Sequence, residues 1–418
     1  MKTMTGREKL WDAVNHKSGV IPVDCGSTAV TGIHCSCVAK LREYYGLEQH
    51  PVVVHEPYQM LGLVEEDLAA VLGLDTANFM FGGTIFGFAN ENFKTWLAPW
   101  GQEVLVSGDF NVTRKNNDLF MHPEGDVNCA PSGCLPEGGY FFDAIIRQEE
   151  VVEENLKAED NLEEHGIISD EDMAKLQATL MTARASGKAV VAGTIGTALG
   201  DVALIPGVAL KHPKGIRDIT EWYMSIAARP GLVHEIFAKQ TELALVNLEK
   251  LNASCGDFMD VAVICGTDFG TQSGQFCSVT TFDELWAPYY KIINSWIHGN
   301  TQWKTFKHCC GAIVPLIPAF IDCGFDIINP VQCSAAGMEP EKIKREFGRD
   351  IVFWGGGVDT QHVLPFGSVD EVKKQVRERC RIFSEDGGFV FNSIHNIQAR
   401  TPTENIVAMF DTVKEFNQ

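Results

Sequence analysis

Apolar residues arrive in short bursts along this chain. Most bursts are followed by a longer stretch in which apolar positions recur every three to four residues. The bursts lie at residues 20–24, 75–80, 189–193, 260–265, 304–308, 326–329, 351–354 and 388–392. Most of them are nearly continuous apolar runs, which suit parallel strands covered on both faces. The stretch 283–299 has helical periodicity and ends on Gly299, and 369–384 repeats the pattern behind Ser368, a candidate N-cap. Eight repeats of strand and helix form the pattern of a (β/α)8 TIM barrel. Residues 94–143 break the alternation, with segments around 95–106, 111–114 and 119–122 that read as antiparallel strands joined by polar turns. We read this interval as a β-hairpin insertion, residues 149–185 as a helix with acidic flanks, and the N-terminus as a helical lead-in. With no internal repeat and no linker, the expectation is a single barrel domain over 1–418 with the insertion at about 94–143.

Charge narrows the function. Asp and Glu outnumber Lys and Arg 55 to 34, for a net charge of −21. Nucleic-acid binding needs clustered cations and is not expected. Part of the acidic excess sits at 148–164, read as a solvated helix face, with a protein-docking patch as the alternative. No run of 18 apolar residues exists, so no membrane span is expected. The start lacks the apolar centre of a secretory signal. The thirteen cysteines are odd in number and follow no disulfide framework. Reduced thiols in the cytoplasm are expected, with Cys35 and Cys37 packing a helix.

In a barrel of this kind the site lies at the C-terminal ends of the strands. The sharpest pattern there is His308-Cys309-Cys310-Gly311. Residues two apart on a strand share a face, and an imidazole and a thiolate on one face are two zinc ligands. Gly311 lets the chain turn away. The alternative is a half-buried strand end with a packed Cys and a hydrogen-bonded His. A catalytic zinc site has three protein ligands and an open position. His395 is the candidate third ligand and Cys333 its rival, with His34 and His362 weaker. Asp268 reads either as a proton-handling or substrate-contacting acid or as a cap on backbone N–H groups. The glycines at 355–357 lack dinucleotide-binding spacing.

The stretches His308-x-Cys310-Gly311, Asn329-Pro-Val-Gln-Cys-Ser-Ala-Ala-Gly-Met338, Phe353-Trp-Gly-Gly-Gly-Val-Asp-Thr-Gln361, and His395 with Thr401-Pro-Thr-Glu-Asn405 resemble the uroporphyrinogen decarboxylase superfamily. With Ile21-Pro-Val-Asp24, they spread the resemblance over nearly the whole chain. It implies a (β/α)8 barrel. Within the superfamily the chain is similar to the corrinoid-dependent methyltransferase branch, whose zinc motif is H-x-C-G. Thiol-methylating members carry a Cys six residues before the Thr-Pro pair, where this chain has His395. The decarboxylases carry a His there but lack H-x-C, and their Arg-Gln-Ala-Gly-Arg stretch is absent here. The resemblance also implies a corrinoid protein as partner. Asp-x-His-x-x-Gly, which accompanies stable corrinoid binding, is missing, so the cobalt would visit the barrel mouth, with the insertion as a candidate docking surface.

The expected reaction is demethylation of a small methylated compound, such as a methoxylated aromatic, at zinc held by His308, Cys310 and His395, with the methyl group passing to the corrinoid. Asp268, His308 and Cys310 are the expected catalytic residues. His34, Gln272, Gln332 and Cys333 are expected to contact substrate, and Phe269 and Trp354 either line a pocket or pack the core. Alternatives are transfer from methyl-cobalt to a thiol, a porphyrinogen decarboxylase-type lyase, and a non-catalytic corrinoid-protein partner.

Overall fold

The computed structural model describes residues 4–418. Its centre is a six-stranded parallel sheet built, in spatial order, from Phe389–Val390, Val352–Trp354, Ile327–Asn329, Lys304–His308, Val261–Cys265 and Val191–Gly193. These match six of the expected strands, five of them shortened and Lys304–His308 with the expected bounds. The other two, near 20–24 and 75–80, are reduced to single parallel bridges, Val23 to Phe391 and Thr76 to Ala189. Their backbones still connect: the Asp75 N–H donates to the Val23 carbonyl at 2.8 Å and the Asp24 N–H to the Phe391 carbonyl at 2.9 Å. Pro22 and the polar side chains around Asp24 and Asp75 interrupt the longer ladders that apolar content alone suggested.

One face of the sheet carries Val191, Val261, Phe306, Ile327, Val352, Trp354 and Val390, which pack together in one cluster. Leu10, Ala13 and Val14 of the helix Gly6–Val14 complete this cluster. Thr5 and Glu8 form a reciprocal cap at the start of that helix. The opposite face packs into the larger core formed with the helices. Polar side chains on the inner face therefore collect at the C-terminal strand ends.

The insertion is larger than a hairpin and begins earlier than 94. Val52–Glu56 pairs parallel with Glu103–Val106, which pairs antiparallel with Lys94–Leu97. Val112–Lys115, Asp118–Met121, Gly133–Leu135 and Asp143–Ala144 form a separate antiparallel sheet. The expected helix over 149–185 is also corrected: only Asp170–Ala185 is α-helical, and two short 3-10 turns precede it. The acidic stretch before it is no helix face. Glu163 and Glu164 pair with the buried Arg217, Glu153 with Arg229, and Glu159 with Lys239. The expected helix 283–299 is observed as Val279–Leu285 followed by Ala287–Asn300, with Pro288 in the first turn of the second. Val369–Phe383 forms as expected, capped by Ser368. No helix among the described residues is long and apolar enough to cross a membrane.

Candidate metal centre

Lys304–His308 runs parallel to Ile327–Asn329 in a register that sets His308 beside Asn329. Both are buried, at 2% and 0% exposure. The Asn329 side-chain amide donates to the Trp354 carbonyl at 2.8 Å, which leaves its oxygen 2.6 Å from His308 Nδ1. That oxygen only accepts, so His308 carries its proton on Nδ1 and presents the Nε2 lone pair. Cys310 Sγ lies 3.3 Å from that Nε2. His395 stands across the strand ends, its ring centroid 5.1 Å from that of His308. Its backbone sits at φ +68°, a left-handed conformation uncommon outside glycine and often found at functional sites. One ligand atom from each of His308, Cys310 and His395 lies within 4.8 Å of the others, so the group could hold a metal ion.

The electrostatics suit such an ion. Burial lowers His308 to about 4 and His395 to about 3, so both rings are neutral donors at physiological pH. Burial and the nearby Asp268 raise the Cys310 thiol well above its usual range. A bound cation would reverse that preference by taking the thiolate and releasing the proton. Two imidazoles and a thiol are a borderline-soft donor set that favours zinc among common biological ions.

Asp268 is half-buried, with Oδ1 3.9 Å from His308 Nε2. The same oxygen accepts from the Cys310 N–H at 2.6 Å. Asp268 thus accepts from the backbone of the neighbouring loop rather than capping its own turn, at a place that also touches the trio. Burial holds its carboxyl above the usual range. Gly311 adopts φ +89°, and its N–H donates to Gln332 Oε1 at 2.9 Å. A Cβ on Gly311 would stand 2.6 Å from the Gly270 carbonyl oxygen, and one on Gly270 would stand 2.5 Å from the Cys310 carbonyl oxygen. The two loops thus meet backbone to backbone.

The remaining expected residues divide. Cys333 is not part of the trio: its Sγ donates to the Val331 carbonyl at 3.3 Å, and burial pushes its thiol up to about 12. His34 caps the helix Cys35–Tyr44 through Nδ1, and its Nε2 lies 3.0 Å from the Tyr140 carbonyl. Both ring nitrogens are committed to the fold, so His34 has none left for a substrate. Gln332 uses its side-chain oxygen on Gly311, and Gln272 is exposed. His362 is on the surface beside Asp359. Trp354 is core, its indole N–H donating to Asp24 at 2.9 Å. Phe269 is buried against Phe282 and Trp286 yet borders a cavity.

That cavity, of about 660 Å³, opens from Asp268 between Ile219–Ala228 and Val279–Leu285. Sequence reading missed it because its walls come from helices far apart in the chain. It also missed Asn329 and Lys307. Lys307 is fully buried; its ammonium donates to the Thr267 and His308 carbonyls at 2.6 and 3.0 Å and lies over the ring of Phe269. A lysine beside Phe306, one residue before His308, was the available signal.

The family description "Uroporphyrinogen decarboxylase (URO-D)" matches residues 165–416, more than half of the chain. The uroporphyrinogen decarboxylase of Trichodesmium erythraeum (strain IMS101) is 23% identical over 289 residues, covering 68% of this chain and 75% of that protein. A solved methyltransferase from Methanosarcina mazei matches over 100% of both chains at 15% identity with a TM-score of 0.56. That last likeness is one of fold.

Proposed function

Since the chain belongs to the uroporphyrinogen decarboxylase family, we propose that it is a zinc-dependent methyltransferase on a closed (β/α)8 barrel, moving a methyl group from a small methylated substrate to the cobalt of a corrinoid protein. The observation that carries this reading is the convergence of His308, Cys310 and His395 within 4.8 Å. A zinc ion held by these three would supply a Lewis acid for the heteroatom that loses its methyl group. The electron pair of the carbon–heteroatom bond stays on the heteroatom, and the pair that forms the new bond to carbon comes from the reduced cobalt of the acceptor.

The chain's own residues prepare this transfer. Asn329 fixes the His308 tautomer so that Nε2 faces the site. Asp268 can carry a proton on its carboxylate and hand it to the departing heteroatom. Lys307 contributes a fixed positive charge beneath the site, which favours negative charge on Asp268 and Cys310. In this reading 1–418 form one domain, the antiparallel insertion receives the corrinoid protein, and the free thiols suit a cytoplasmic enzyme. Absence of the decarboxylases' arginine-rich stretch argues against a porphyrinogen substrate.

The test is metal analysis together with a spectrophotometric assay of reduced corrinoid protein and a methoxylated aromatic. One zinc per chain and formation of methyl-cobalt are expected. Full turnover by metal-free protein would reject the proposal. Methyl transfer only in the opposite sense, from methyl-cobalt to a thiol, would assign the same centre to thiol methylation.

A further inference from the structure

We propose that the cavity beside Asp268 binds an uncharged aromatic methyl donor and rejects anionic ones. This inference rests on the methyl-transfer reading and names its substrate class. At about 660 Å³ the cavity lies in the range of sites that enclose ring-sized organic ligands. It would hold about twenty waters at ~30 Å³ each, far more room than a two-carbon thiol needs. Its walls are aromatic: Trp222, Tyr223, Phe269, Phe276 and Trp286 all border it. Tyr223 stacks on Phe276 with ring centroids 4.8 Å apart, while Phe269 and Trp286 meet edge to face at 5.0 Å. Such surfaces receive a flat ring by stacking and edge contacts.

Charge sets the sign of the selection. Among the described residues that line the cavity, the charged types are Asp268 and Glu284, and none is Lys or Arg. At the helix on its rim, Val279–Leu285, the Ser278 side chain already accepts from the Thr281 N–H at 3.0 Å. Lys307 does not line the cavity; its ammonium lies over the Phe269 ring and is bonded to the Thr267 and His308 carbonyls. A carboxylate or sulfonate held within this space would lose water and find no Lys or Arg among the lining side chains, next to two acids. A neutral ether loses far less on entry.

The experiment titrates zinc-loaded protein with methoxybenzene and with 4-methoxybenzoate at pH 8, following tryptophan fluorescence and calorimetry, since Trp222 and Trp286 face the cavity. The neutral ether should bind at least about a hundredfold more tightly than the carboxylate. Glu284→Lys, an exposed change at the rim, should narrow that ratio several-fold, and Ala227→Trp, which fills the opening, should abolish ether binding. Equal or tighter binding of 4-methoxybenzoate to the wild type overturns the inference, as does ether binding untouched by Ala227→Trp. The two claims separate cleanly: an ether that binds as described but never methylates reduced corrinoid protein overturns methyl transfer alone. Turnover of anionic methyl donors in preference to neutral ones overturns the substrate class alone.

Discussion

Replacing Asn329 by Leu tests whether the ring of His308 is aimed by its neighbour. The substitution keeps the branched shape and deletes two hydrogen bonds, one of 2.6 Å to His308 Nδ1 and one of 2.8 Å to the Trp354 carbonyl. His308 is 2% exposed, so its Nδ1–H has no water to turn to. A buried polar group left unpaired costs about 1–3 kcal/mol. Two such groups, partly offset by the added apolar contact, give an expected loss of about 2–4 kcal/mol in unfolding free energy by urea titration. Loss of the partner of a metal-binding histidine should weaken zinc by about ten- to a hundredfold, or ~1.4–2.7 kcal/mol, measured by competition with a chromophoric chelator. Asn329→Asp keeps the acceptor and loses only the donor to Trp354. It should destabilise the fold while retaining zinc affinity. If folded Asn329→Leu protein binds zinc within about twofold of the wild type, the tautomer argument fails.

Other consequences can be measured independently. Cys310→Ala or His308→Ala should strip the metal and the methyl-transfer activity while the far-UV circular dichroism stays that of the wild type; a full complement of zinc in either variant would exclude that residue as a ligand. Burial pushes His34 down to about 4 from an ordinary 6.5, so the unfolded state binds its proton first as the pH falls. The stability it supports is complete above about pH 6.5 and is lost as the pH drops toward 4, at most about 2 kcal/mol by pH 5. His34→Asn keeps a capping side chain and does not titrate; its urea midpoints at pH 7.5 and 5 should differ less than those of the wild type, and an unchanged difference would count against this assignment. Arg217→Met strands Glu163 and Glu164 beside a buried site and should cost about 3–5 kcal/mol. A melting temperature equal to that of the wild type would show that the acidic segment needs no such anchor.

The sequence carried the fold where periodicity was strong. Six of the eight apolar bursts are strands of one parallel sheet, because continuous Val, Ile and Phe runs have few other uses. It failed where polar residues cut the ladder, at Val23 and Thr76, and at Val52–Glu56, whose parallel partner Glu103–Val106 lies in the inserted segment rather than in the main sheet. The stretch 148–164 misled because charge alone does not distinguish a solvated helix from an extended segment tied down by arginines. Of the site, His308, Cys310 and His395 were legible from two-residue spacing and the matching motifs. His34 was not, since a histidine ahead of a helix gives no hint that it is the cap. Asn329 became visible only through strand register, and the cavity only through the packing of distant helices.

The contact between Gly270 and Gly311 constrains how this protein can be altered. Two positions forty-one residues apart share one atomic-scale gap, and neither tolerates even a methyl group without parting the loops that hold Asp268 and Cys310. A saturation library across the barrel mouth should therefore return only glycine at both sites, singly or in combination. Attempts to reshape substrate preference are better aimed at the helix-borne walls, which can change while the two loops stay clamped.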